Sequence, residues 1–373
     1  PIFDATTYPS VVLVEKMSAV GADLRVCPNE TKGEHIGSPL QEKFLAATFT
    51  DAAQLLSVEN TLSQIGFKMP VSALRPEGWN LERPDVLALM EKLREAGKPL
   101  SEYVQGRFYY GIKTGLNEAF VIDAETRRHL IADDPKSEEL IKPWLRGQDI
   151  KKWKAELAGL YVINIQSSSN HHWPWSDEKV ESKAKKIFKE TYPAIHDHLT
   201  QWKDKLQKRD DQGKFWWELI SCVYSDDFEK SKIIYPDIAK ATEFTWDESK
   251  AFLGNTAYII PTDEIWLLGL LNSQLIWWLY LHISSTIQGG FVRFIAQYME
   301  QLPIPAASVS QKAPIIERVE KILAAKKQPP SSPFSKGELT VADTSALEKQ
   351  IDEMVYKLYG LTEEEIAIVE GKK

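Results

Sequence analysis

Several groups of residues could do chemistry by their type and spacing. Pro236-Asp237 followed by Glu248-Ser249-Lys250 has the letters of a PD…ExK site, in which two carboxylates and a lysine hold Mg²⁺ and activate water. A β-rich run at 233–235 precedes the aspartate, as such a site requires. Asp247-Glu248-Ser249-Lys250 reads as a turn, however, where a working site has a strand. His171-His172 and His196-Asp197-His198 lack neighbouring Cys and the helical i, i+4 spacing of a ligand set, and read as surface histidines or as ones that support site residues from behind. Cys27 and Cys222 form no CxxC pair, which excludes a disulfide framework and a thiolate zinc site and fits a reducing cytoplasm.

Three absences narrow the field further. DNA amino-methyltransferases hold the amine of a flipped base with an Asn-Pro-Pro-Tyr tetrad, and the Pro-Pro of this sequence sits in Gln328-Pro329-Pro330-Ser331, which cannot do this. Their cofactor loop, Phe-x-Gly-x-Gly, is half matched by Phe252-Leu253-Gly254-Asn255-Thr256, without the second glycine needed for close backbone approach. No GxxxxGK[ST] phosphate loop occurs. No catalytic residue for methyl transfer is expected in this sequence.

The elements that would position a site are those of an ordinary globular chain. The 373 residues are 43% hydrophobic and 26% charged, enough for two domains or one with appendages. Twelve Trp and thirteen Tyr suit cores, interfaces and base-stacking surfaces alike. The net charge of −8 opposes bulk attraction to a polyanion, so nucleic-acid binding would need a local basic face. One candidate is Lys142, Arg146, Lys151, Lys152 and Lys154, opposed only by Asp149. A second runs from Lys183, Lys185, Lys186 and Lys189 to Lys203, Lys205, Lys208 and Arg209, and reads equally well as solvated surface.

Residues 10–14 read as a strand, 23–50 as loops with a short helix, and 51–64 and 84–97 as helices. Between Gly106 and Pro305, short β-prone runs (108–110, 120–122, 160–165, 233–235, 258–260) mix with Lys-rich amphipathic helices at 177–192 and 194–209. The stretch 265–283 imitates a membrane span in length, but Asn272-Ser273-Gln274 at its centre points to a buried core helix instead. Helices follow at 311–327 and 343–358, separated by a Pro/Ser linker at 328–333. The pattern is α+β with a mixed sheet, not a regular βαβ alternation. Pro1-Ile2-Phe3-Asp4 has neither a Met nor a signal-peptide pattern, and reads as the start of a piece of something longer.

Five segments, in order, carry a resemblance. They are Gly111-Ile112-Lys113-Thr114-Gly115-Leu116-Asn117-Glu118-Ala119-Phe120-Val121-Ile122-Asp123, then Lys142-Pro143-Trp144-Leu145-Arg146-Gly147-Gln148-Asp149-Ile150, and Lys232-Ile233-Ile234-Tyr235-Pro236-Asp237-Ile238-Ala239. Leu267-Leu268-Gly269-Leu270-Leu271-Asn272-Ser273 and Gly289-Gly290-Phe291-Val292-Arg293 complete the set, the last running on to Leu302-Pro303-Ile304-Pro305. Together they resemble the TaqI-like C-terminal specificity domain of type IIG and related restriction-modification adenine methylases. Residues 347–362 are similar to that family's terminal helix, and Ile2 to Tyr8 to the last sheet edge of its methyltransferase domain.

The resemblance implies three parts: 1–105, a methyltransferase-edge remnant with a connecting helical region; 106–305, the target-recognition domain; and 306–373, a C-terminal helical element. It implies a sequence-specific DNA-recognition module whose partners are double-stranded DNA and a methyltransferase domain of the same polypeptide. S-adenosylmethionine would serve the parent enzyme, with no cofactor in these residues, no membrane association and a cytoplasmic location. Candidate DNA-binding residues are Lys113, Thr114, Asn117, Arg146, Gln148, Lys151, Lys152, Lys240, Gln288 and Arg293. Gly111 and Gly115 would let the first loop turn sharply toward a phosphate, Arg146 beside a flexible Gly147 would suit a phosphate or a guanine edge, and Gly289-Gly290 would make a mobile loop able to enter a groove, with a plain hairpin turn as the other reading of each glycine. Four to six phosphate contacts would give a log–log salt slope of roughly −4 to −5. Two other readings stand beside this one. One is a metal-dependent nuclease on Asp237, Glu248 and Lys250; the other is a protein-interaction module of a phage-defence methylase complex, for which the acidic charge is no obstacle.

Overall fold

The computed structural model describes residues 43–47, 56–70, 74–75, 78–79, 82–287, 289–327 and 343–372. The expected strand at 10–14, the sheet-edge segment at 2–8 and the linker at 328–333 lie outside them, as do Cys27 and Gln288. The chain divides into two compact units, Pro1–Lys92 and Leu93–Lys373.

In the first unit, Lys43–Ala46 pairs antiparallel with Phe67–Pro70 across the helix Val58–Ile65. The strand at 43–46 replaces the irregular structure expected there. Its apolar faces explain why: Phe44, Ala46 and Met69 form a small cluster with Phe67 and Leu87. The helix expected at 84–97 is Pro84–Glu95, opened by a proline whose missing N–H is free of any helical duty.

The second unit is α+β. One sheet has the order Phe252–Leu253, Ile141–Leu145, Leu160–Ile163, Val121–Asp123, parallel in its first pair and antiparallel in the others. A second, wholly antiparallel, has the order Thr245–Asp247, Lys232–Pro236, Ala257–Pro261, Tyr109–Tyr110. Its two central strands read KIIYP and AYIIP and are buried at every position; their apolar residues account for this except at Lys232, whose buried ammonium is paired with Asp247 at 2.6 Å. A third sheet joins Ile238–Ala239, Phe291–Arg293 and Thr286–Ile287.

Burial decides what most of the aromatic residues do. Trp175, Trp216, Trp217 and Trp266 are almost wholly buried. Trp217 is sandwiched between Phe188 at 5.3 Å and Phe215 at 4.7 Å, in the apolar core that also holds Trp144. The Lys-rich region forms the helices Glu181–Thr191, Pro193–Thr200 and Lys203–Leu206, with Phe188, Ile195 and Leu199 on the core side.

The stretch 265–283 is two helices, not the single one expected: Trp266–Leu271 and Gln274–Ile283. Ser273 caps the second by accepting from Ile276 N–H. Asn272 binds Phe244 as a neighbouring strand would: its Oδ1 accepts from Phe244 N at 3.2 Å and its Nδ2 donates to Phe244 O at 2.9 Å. Among the described residues, no helix is long and apolar enough to cross a membrane. The helices Val309–Lys327 and Ser345–Leu358 follow. Gly269 lets the first of these close in: a Cβ there would stand 2.8 Å from Ile315 and 2.9 Å from Val319.

Candidate nucleic-acid interface

A cleft of about 910 Å³ opens on the second unit where the loops after three of its strands meet. The first contributor is Arg146–Asp149. Gly147 is not a flexible point as expected but a close approach: its N–H donates to Thr256 Oγ1 at 2.9 Å, and a Cβ would stand 2.4 Å from Thr256 O. The short helical turn Gly147–Asp149 folds Asp149 back onto Arg146. The Asp149 carboxylate accepts from Arg146 Nε at 2.9 Å, Nη2 at 2.7 Å and the backbone N at 2.8 Å. Burial pushes this acid up, but the hydrogen bonds and charge of Arg146 outweigh burial and hold it below its ordinary range.

The second contributor is the segment after Phe252–Leu253. Gly254 packs on Trp144, where a Cβ would stand 2.9 Å from the indole, and this close approach leaves the exposed Asn255 at the cleft edge. The half-match to a cofactor loop is thus part of the cleft lining. The third is Asp237–Lys240 with Phe291 beside it. Asp237 is gripped by Arg293 at 2.7 Å, and the Lys240 ammonium lies 4.5 Å above the Phe291 ring.

The loop Lys113–Asn117 borders an adjoining hollow that shares Asn117 and Asn255 with the cleft. Gly115 makes its turn at φ 68°, with Asp211 and Arg209 too close for a side chain. The Thr114 hydroxyl donates to Asn117 Oδ1 at 2.7 Å and accepts from Leu116 N. Beneath lies Arg209, buried, donating to the carbonyls of Thr114, Glu218 and Trp216 and stacked 4.6 Å from the Phe120 ring. Burial lowers its pKa to about 10.

Of the sequence-predicted residues, Asn117, Arg146, Gln148, Lys151 and Lys240 line the cleft, and Lys113 and Thr114 the hollow. Arg293 reaches the cleft through Asp237. Lys152 lines neither; it pairs with Glu348 of the helix Ser345–Leu358 at 2.7 Å. Gly289 and Gly290, both at positive φ, lie in the turn between the paired strands Thr286–Ile287 and Phe291–Arg293, the hairpin turn that is one of the two readings the sequence offers. Asn255, Glu243 and Phe291 also line the cleft and are not among the candidate DNA-binding residues of the sequence. The nuclease set does not assemble: Asp237 lines the main cleft, whereas Glu248 lies in another, accepting from Trp246 Nε1 at 3.0 Å. Lys250 sits in a turn at φ 59°. His196 binds Asp197 at 2.7 Å and His198 the carbonyl of Ala119 at 3.0 Å.

The cleft is not a positive trough. Glu118, Asp237 and Glu243 balance Arg146, Lys151 and Lys240 along its walls. Burial raises the Glu243 carboxyl, and Lys151 opposes this only in part. What the walls offer in quantity is directional hydrogen bonding, from the amides of Asn117, Gln148 and Asn255 and the guanidinium of Arg146. Those are the side chains suited to reading base edges.

The chain is similar to several known proteins. The chain is 25% identical over 340 residues, 87% of its length, to the type II methyltransferase M.PaeR7I of Pseudomonas aeruginosa. It is 23% identical over 308 residues, 80% of its length, to the type II methyltransferase M.XhoI of Xanthomonas vasicola. Each match covers 50% of the relative, so the chain spans about half the length of the curated relatives it matches. A solved structure of the type IIL restriction-modification enzyme MmeI in complex with DNA aligns at 15% identity with a TM-score of 0.47, covering 71% of this chain and 34% of that one. The model of the TaqI-like C-terminal specificity domain matches residues 142–304. Those residues hold the cleft walls from Arg146 to Phe291, and this part of the chain is a TaqI-like C-terminal specificity domain.

Proposed function

We propose that the chain is the DNA-recognition module of a restriction-modification adenine methyltransferase, and that the cleft and its adjoining hollow face the duplex. One observation carries the reading: Asn117, Arg146, Gln148, Lys151 and Lys240, scattered over more than a hundred positions, line one cleft within and beside the matched specificity domain. In this reading 106–305 selects the site, 306–373 braces it from the C-terminal side, and 1–105 leads in from a methyltransferase domain of the same polypeptide. That domain would use S-adenosylmethionine and flip the adenine in the cytoplasm, while these residues grip the duplex.

Within the interface, Lys113, Lys151 and Lys240 make no ion pair among the described residues and are the natural phosphate ligands. The amides of Asn117 and Asn255 are the natural base readers. Fluorescence anisotropy of labelled duplexes at several salt concentrations tests the reading. Salt-dependent binding, weakened by Lys151→Gln and Lys240→Gln, is expected; no binding to any duplex at low salt would overturn it.

A further inference from the structure

Arg146 differs from the other cations of the cleft in how completely it is held. Asp149, its side chain only 7% exposed, fixes the guanidinium side-on through Nε and Nη2, while the arginine side chain remains 41% exposed. This bidentate pairing removes the rotamer freedom that a flexible arginine loses on binding. It leaves the outer fork, Nη1 with the second hydrogen of Nη2, pointing away from Asp149. That fork is covered by one group. With its amide turned so that both ends are satisfied, Gln148 accepts through its carbonyl oxygen from Nη1 at 3.2 Å and Nη2 at 3.0 Å. Gln148 is exposed, so the cover can swing off.

We infer that Arg146 is a pre-set reader of guanine, its outer fork taking O6 and N7 of the base edge once Gln148 moves aside. The assignment rests on the DNA-recognition reading of the cleft. A carbonyl oxygen already marks where a neutral acceptor sits. A phosphate would need the same donors, but charge decides against it. The Arg146–Asp149 pair has no net charge, so Arg146 itself adds little Coulomb attraction for an anion, a role left to Lys151 and Lys240 of the same cleft, which make no ion pair among the described residues. What survives pairing is the direction of the N–H groups, which suits the uncharged acceptor pair of guanine.

The test selects bound duplexes from a randomised pool at low salt, with the unmodified chain, Arg146→Gln and Gln148→Ala. The unmodified chain should show one position preferring guanine by roughly 5- to 150-fold. Arg146→Gln should flatten that position alone and leave the salt slope unchanged. Gln148→Ala, a surface change with the Arg146–Asp149 pair intact, should keep the preference and bind the selected site several-fold more tightly. Equal weakening of all sequences by Arg146→Gln, with the slope reduced by about one, would assign Arg146 to a phosphate and overturn the inference. An unchanged preference profile in that variant would also overturn it. Should Arg146→Gln fail to fold, Gln148→Ala decides: a lost guanine preference or no gain in affinity would count against the assignment. No enrichment of any sequence by the unmodified chain would instead overturn the DNA reading itself.

Discussion

Arg209 and Thr114 lie 95 positions apart in sequence, and the buried guanidinium of the first donates to the backbone carbonyl of the second. The same group binds the carbonyls of Trp216 and Glu218. One desolvated cation therefore ties the loop that presents Lys113 and Asn117 to the aromatic core behind it. Replacing Arg209 with Ala leaves the buried carbonyls of Thr114 and Trp216 without a partner, that of Glu218 keeping Gly213 N–H, and should destabilise the second unit by about 3–5 kcal/mol. Arg209→Lys, which keeps the charge but not the planar fork, should fall between. Urea unfolding measures both; an unchanged midpoint in Arg209→Ala would show that the loop stands without it.

The two-sided bond between Asn272 and Phe244 replaces a strand neighbour at a buried site. Asn272→Ala should cost about 2–3 kcal/mol, because it strands one buried N–H and removes a partner from one buried carbonyl. Thermal unfolding checks this. A loss below half a kcal/mol would mean that water or backbone shifts satisfy Phe244 instead.

Asp352, on the helix Ser345–Leu358, accepts from Gln274 N at 2.7 Å and has its pKa raised to about 6. Burial is the main cause; Gln274 N–H and Lys152 pull it down, and Glu348 and Glu370 push it up. A carboxyl with a folded pKa above its unfolded value stabilises most below about pH 4, and that stability is lost as pH rises through 6. Asp352→Asn removes the buried charge and keeps an acceptor for Gln274. It should match the unmodified chain near pH 4 and exceed it by about 1–2 kcal/mol at pH 8, after discounting for a half-buried site. Equal stability at pH 8 would refute the raised pKa.

Salt dependence should be shallower than the sequence alone suggests. Arg146, Lys152 and Arg293 are each held by a carboxylate, from Asp149, Glu348 and Asp237. With Lys113, Lys151 and Lys240 left for phosphates, the log–log slope should be roughly −3, and each Lys→Gln change should reduce it by about 0.9. Lys152→Gln should leave the slope alone. A slope of about −5 would mean that the helical lysines from 183 to 208 also meet the duplex.

The amino-acid sequence by itself determined the elements and the type of domain. Short β-branched runs such as Ile233–Ile234 and Ile259–Ile260 favour buried strands, Pro84 and Pro193 open helices because proline fixes φ and needs no donor, and the ordered signature segments named the specificity domain. Those are local properties, legible one window at a time. The pairing of charges was not. Arg146 with Asp149 was within reach of sequence reasoning at three positions' separation, but Lys152 with Glu348, Arg293 with Asp237 and Arg209 with Thr114 join residues 56 to 196 positions apart. The glycines show the same limit: Gly147 and Gly254 are absences of a side chain demanded by Thr256 and Trp144, neighbours that only chain reversal supplies. Tertiary structure alone decided which cations face the cleft unpaired, because a lysine's electrostatic duty depends on which acid the fold brings within about 4 Å of it.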